Sequence, residues 1–92
     1  MARPEIRELY RALRACEFGF VPRGEHHLTD VYDSVSRQFG TLCDDAFLCS
    51  DNCSRGHDQP EWRHTTRKAL WSLKANGGSI RAGHARGFWE FR

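Results

Sequence analysis

An α+β fold, mostly helical, is predicted from three features of the 92-residue chain. Three segments carry apolar residues at three- and four-residue spacing, which marks one face of a helix. A cysteine-containing stretch without a long period separates the second from the third. The last segment changes to alternation around a glycine-bounded basic loop, which marks a β-hairpin. The expected order is helix, helix, Cys-rich insertion, helix, hairpin, all within one domain spanning residues 1–92. A chain of this length forms one domain with a marginal core, and such chains often lean on a metal or on disulfides. Three Trp, six Phe and two Tyr supply core material.

The first helix is expected over residues 4–16. Pro4 suits a first turn, and Ile6, Leu9, Tyr10, Leu13 and Cys16 share a stripe. Residues 18–24 break the pattern with Gly and Pro, and their aromatics are expected to tuck back onto the core. The second helix is expected over 29–39, with Thr29 as N-cap, Asp30 and Asp33 near the positive end of the dipole, and Gly40 just past the end. Its stripe is Leu28, Val31, Tyr32, Val35 and Phe39. Pro60 opens a third helix, 60–75. Trp62, Thr65, Thr66, Ala69, Leu70 and Leu73 face inward, Arg63, Arg67, Trp71 and Lys74 lie along another face, and Asn76-Gly77-Gly78 ends it. Trp71 is read as core that covers the hairpin, with stacking at the interface as the alternative. Residues 79–81 and 88–91 are the expected hairpin strands, with residues 83–87 as the loop.

Charge is segregated. Residues 1–54 hold six Arg against nine Asp/Glu, a balance of −3, and residues 55–92 hold eight Lys/Arg against three Asp/Glu, a balance of +5. A basic C-terminal part points to an anionic partner. Helix, helix, helix, hairpin is also how winged-helix DNA-binding domains, a helix-turn-helix class, are laid out. A helix fits the major groove, where its N-terminal residues reach base edges. Arg63, His64 and Arg67 stand at that end, both arginines exposed by this reading. Lys68 and Lys74 are expected on phosphates, and Arg81, His84 and Arg86 on the backbone or in the minor groove. His26 and His27 read as surface histidines.

The run from Pro60 to Lys74, then Gly77-Gly78, then Arg86-Gly87-Phe88-Trp89-Glu90-Phe91 resembles winged-helix modules attached to restriction endonucleases of the Mrr and HNH types. Those end in a helix rich in VRxALxxLK, a glycine and an RGxWE strand. The resemblance covers about the last third of the chain. It implies double-stranded DNA binding in bacterial restriction of foreign or modified DNA, alongside a nuclease domain or subunit.

Cys43, Cys49, Cys53 and His57 follow a C-x5-C-x3-C-x3-H spacing. Three thiolates and one imidazole make a common structural zinc set. His57, His64 or Cys16 are the alternatives for the fourth ligand, and buried reduced thiols are the competing reading of all the cysteines. No HNH constellation and no paired-acid E-x-K run is found. Asp44 and Asp45 are adjacent, which alone does not hold a metal for in-line displacement, and Cys53 with His57 is a conceivable nucleophile pair. The reading is a non-catalytic domain, with a protein-interaction module or a small nuclease as alternatives. No apolar run is long enough for a membrane span and no apolar core follows the basic N-terminal residues. The expected compartment is the cytoplasm, and neither a membrane nor a small-molecule substrate is expected as partner.

Overall fold

In the computed structural model, which describes residues 4–48 and 59–92, helix α1 spans Pro4–Cys16, strand β1 Gly24–His27, helix α2 Leu28–Gln38, helix α3 Glu61–Ala75, strand β2 Ile80–Ala82 and strand β3 Phe88–Phe91. A short 3₁₀ turn, Gly40–Leu42, follows α2. The fold is α+β, about half helical among the described residues. The helices pack where their apolar stripes meet. Ile6, Leu9 and Leu13 of α1, Val31, Tyr32 and Val35 of α2, and Trp62, Thr65, Thr66, Ala69, Leu70 and Leu73 of α3 are all buried. The main helix–helix contact is α1 along α3.

The hairpin closes this core from one side. Ile80, Trp89 and Phe91 point inward and are buried. The strands form an antiparallel sheet in the order β1-β3-β2, so the last strand is the middle one. Strand β1 was not expected from the sequence. Gly24-Glu25-His26-His27 is short, polar and without alternation, and it becomes a strand because it pairs with β3, His27 opposite Phe88 and Gly24 opposite Phe91. Strand formation depends on what lies alongside more than on intrinsic preference.

The same pairing corrects the start of the second helix. The expected cap was Thr29, but His27 is the cap, its Nδ1 accepting the Thr29 N–H at 3.2 Å. The Leu28 N–H donates instead to the Gly87 carbonyl at 2.8 Å. The hairpin therefore satisfies one of the orphan donors every helix start exposes. At the other end Phe39 is the C-cap and Gly40 opens the 3₁₀ turn.

Two further features depart from the helical stripes. Cys16, placed on the inward stripe by spacing, is exposed, while Phe18 is 1% exposed and fills the core at this end. The chain achieves this through left-handed backbone at Glu17 (φ 50°) and Phe18 (φ 56°), a conformation uncommon for residues with a Cβ. Trp71, read as core covering the hairpin, is 56% exposed, its ring 5.3 Å from that of Trp89 and nearly perpendicular to it.

Candidate nucleic-acid interface

Tyr32 of α2 organises the N-terminal half of α3. Its hydroxyl accepts a hydrogen bond from Arg67 Nη1 at 2.9 Å. Its ring lies under the Arg63 guanidinium, 5.2 Å from centroid to Cζ. The Trp62 ring meets Tyr32 edge-on at 5.7 Å and supports the same guanidinium at 5.4 Å. Cationic groups over aromatic faces gain from the ring quadrupole. Both arginines are thereby held in place. Arg67 is buried (9% exposed) rather than exposed as its helix position suggested, and Arg63 is half-buried. The Arg63 Nε is a buried donor with no hydrogen-bond partner among the described residues.

The two arginines open onto a cleft of about 350 Å³ that Arg86 and Gly87 of the hairpin loop complete, with His27, Leu28 and Thr29 at its rim. None of its described lining residues is a carboxylate. A second concavity of about 430 Å³ continues from it along α3 and contains Trp71. Arg63, Arg67, Trp71 and Lys74 fall one helical turn apart in succession on one stripe of α3; the first three line the concavities beside the loop, and Lys74 lies further on, near Gly77, Gly78 and Arg81.

The remaining residues expected to meet DNA are dispersed. His64 is half-buried on α3. Lys68 is exposed but turns to α1, its Nζ 5.9 Å from the Tyr10 ring, beside Arg7 and Arg11. Lys74 lies over the Trp71 ring at 4.4 Å. Arg81 stands opposite Glu90 in the sheet, one position along the strand from the inward-facing Ile80, and so on the face turned away from the core.

His84 is a strut. Glu25 on β1 grips the loop with both carboxylate oxygens, Oε2 accepting the His84 backbone N–H at 2.6 Å and Oε1 accepting from the ring Nδ1. The ring also packs on Phe88, 4.7 Å between centroids. The backbone hydrogen bond from His84, first, and its side-chain hydrogen bond hold Glu25 below the usual carboxylate range against the opposing effect of desolvation. A lowered pKa means the ionised carboxylate is the form the fold prefers. The anchorage is complete above the ordinary carboxylate range and is lost as pH falls through the lowered value. The protection factors of amides 83–87, their exchange rates referred to the intrinsic rates at each pH, are therefore expected to fall at acid pH before those of the rest of the domain. Glu25→Gln should give low protection factors there at every pH. Protection factors in Glu25→Gln that follow the wild-type pH profile would assign the loop's stability elsewhere.

Of the expected metal set, Cys49, Cys53 and His57 lie outside the described residues. Cys43 is half-buried against the core, and its thiol reaches the Val35 carbonyl at 4.0 Å. Burial, then the charge of Asp45, pushes its pKa up to about 11. That is the behaviour of a protonated core thiol, and a metal binding there has to displace the proton. Cys16 makes its contact with the Leu13 carbonyl at the end of α1. Among the described residues no three His, Cys, Asp or Glu side chains come together as a metal group. The two aspartates have structural uses. Asp44 accepts the Ala46 N–H at 2.9 Å, and Asp45 accepts the Trp62 indole N–H at 2.7 Å. The Glu61 N–H also donates to the Phe47 carbonyl at 2.9 Å, and Leu48 bridges to Pro60, so the chain on either side of residues 49–58 meets at the start of α3.

Comparison of the chain with protein-family models, with curated proteins and with solved structures gave no match. No helix among the described residues is long and apolar enough to cross a membrane.

Proposed function

We propose that the chain is a winged-helix-type domain that binds double-stranded DNA without catalysis of its own, with α3 as the recognition helix and residues 83–87 as the wing. The observation that carries this reading is the shared cleft. Arg63 and Arg67 of α3 and Arg86 of the loop converge on it from two elements. The element order and the β1-β3-β2 sheet support it, because they hold the loop beside α3. Within this reading the buried Arg67 positions the cleft, the half-buried Arg63 reaches a base edge or phosphate, and the exposed Arg86 meets the backbone. The resemblance of the last third to modules of restriction endonucleases extends the proposal to recognition of foreign or modified DNA.

The test is a titration of plain and methylated duplexes at two salt concentrations. Arg63→Ala should weaken binding by about 1–3 kcal/mol. Arg86→Ala should weaken it with unchanged stability and lower the salt slope by about one unit, the loss of one phosphate contact. Lys68→Ala should have little effect, because that side chain faces α1. If folded Arg63→Ala and Arg86→Ala proteins bind as tightly as wild type, the cleft is not the DNA surface and the protein-interaction reading replaces it.

A further inference from the structure

The chain has three tryptophans. Trp62 and Trp89 are 3% and 6% exposed, whereas Trp71 is 56% exposed, on the same stripe of α3 as Arg63 and Arg67. A large aromatic left in solvent forgoes apolar burial worth about 1.5–3 kcal/mol for side chains of its kind, so its position invites a ligand. Its ring meets Trp89 nearly perpendicularly, at 85°, and Lys74 Nζ sits 4.4 Å from the ring centre. Beside it lies the concavity of about 430 Å³, walled by Leu28, Ala82, Ala85, Phe88 and Arg86. That volume lies within the range of small-ligand clefts, roughly 300–1,000 Å³. The wall is part apolar and part guanidinium, with Arg86 from the loop and Arg67 from the helix, and Lys74 stands outside it over the Trp71 ring.

A half-exposed aromatic ring, partly apolar walls and nearby cations match one nucleotide whose unstacked base displaces the Lys74 ammonium from the ring face. Stacking on an aromatic side chain needs the π-face of the base, and inside an intact duplex both faces are covered by neighbouring pairs. Single strands and extruded bases offer that face. Resting on the DNA-binding reading above, we propose that Trp71 and its concavity take the base of an unpaired nucleotide, with Arg86 and Lys74 on the adjoining phosphates. The surface then prefers duplex DNA that carries an overhang or an unpaired base over the same duplex with blunt ends.

Because the other two tryptophans are buried, emission quenched by acrylamide reports chiefly on Trp71. The experiment titrates the full chain with a blunt duplex, with that duplex bearing a short single-stranded overhang, and with one bearing a single unpaired base, while following emission and anisotropy. The two interrupted duplexes should bind about tenfold more tightly than the blunt one. They should also protect the emission from acrylamide. Trp71→Ala should bring all three affinities together at the blunt-duplex value, and Trp71→Phe should keep part of the preference. Trp71 is exposed, so both variants should melt close to wild type. Equal binding of blunt and interrupted duplexes by wild type overturns the proposal and leaves the DNA-binding reading standing. Failure of every DNA to bind overturns both. Emission that responds to protein concentration and to no DNA gives Trp71 to a self-association surface and overturns the proposal.

Discussion

Trp62→Ala is expected to lower the stability of the fold by about 3–5 kcal/mol, the usual cost of truncating a buried aromatic. Trp62 is 3% exposed at the start of α3. It packs edge-on against Tyr32, donates its indole N–H to Asp45 and supports the Arg63 guanidinium. One side chain thus links α3, α2 and the chain just before residue 49. A domain of this size is stabilised by roughly 5–15 kcal/mol in total, so the variant stands near its unfolding threshold at ambient temperature. Trp62→Phe keeps most of the apolar contact and loses the hydrogen bond, which leaves the Asp45 carboxylate to solvent; its cost should be about 1–2 kcal/mol. Urea titrations of the three proteins measure both losses. A Trp62→Ala loss below that of Trp62→Phe would mean the site collapses around the smaller side chain and the Tyr32 contact carries little.

Gly83→Ala should destabilise the hairpin for a different reason. A Cβ on Gly83 would stand 2.7 Å from the Phe88 Cβ, 2.8 Å from the Phe88 carbonyl carbon and 2.7 Å from Glu25 Oε2. The Glu25 side chain can swing aside, but the backbone of the central strand cannot move without breaking the ladder. Gly83 N–H also donates to the Phe88 carbonyl at 2.8 Å, and the extra carbon would force that bond to lengthen. Overpacking of this kind costs about 1–3 kcal/mol. For a domain of this size that is a fall of roughly 4–8 °C in Tm per kcal/mol. On the proposed DNA-binding reading, affinity should fall with it, because displacing the loop moves Arg86 out of the cleft. Gly40→Ala is the control, since a Cβ there meets nothing within 4 Å; it should melt close to wild type. Thermal unfolding of the two variants in parallel decides the matter, and equal melting temperatures would show that the loop tolerates the carbon.

The two readings of α3 show how far spacing reaches. Its inward residues all bury as their three- and four-residue intervals require, because burial of a stripe follows from 3.6-residue geometry alone. The same intervals made Arg63 and Arg67 look alike and exposed. They differ because Tyr32, on α2, offers one a hydroxyl and the other a ring face. Periodicity says which way a residue points and nothing about what waits there. Trp71 failed in the opposite sense. It was read as core covering the hairpin, but it is 56% exposed and meets Trp89 nearly perpendicularly.

The sequence by itself determined the three helices, the C-terminal hairpin and the segregation of positive charge, since these rest on local geometry, glycine and proline positions and composition. Tertiary structure decided the rest. Gly24–His27 is a strand because β3 runs beside it, His27 caps α2 because the Gly87 carbonyl holds Leu28, and His84 is a strut because Glu25 reaches it across 59 residues. Each of these is a hydrogen bond or ladder between segments far apart in sequence. The donors and acceptors are visible in the sequence, but which of them meet is set by how the chain packs.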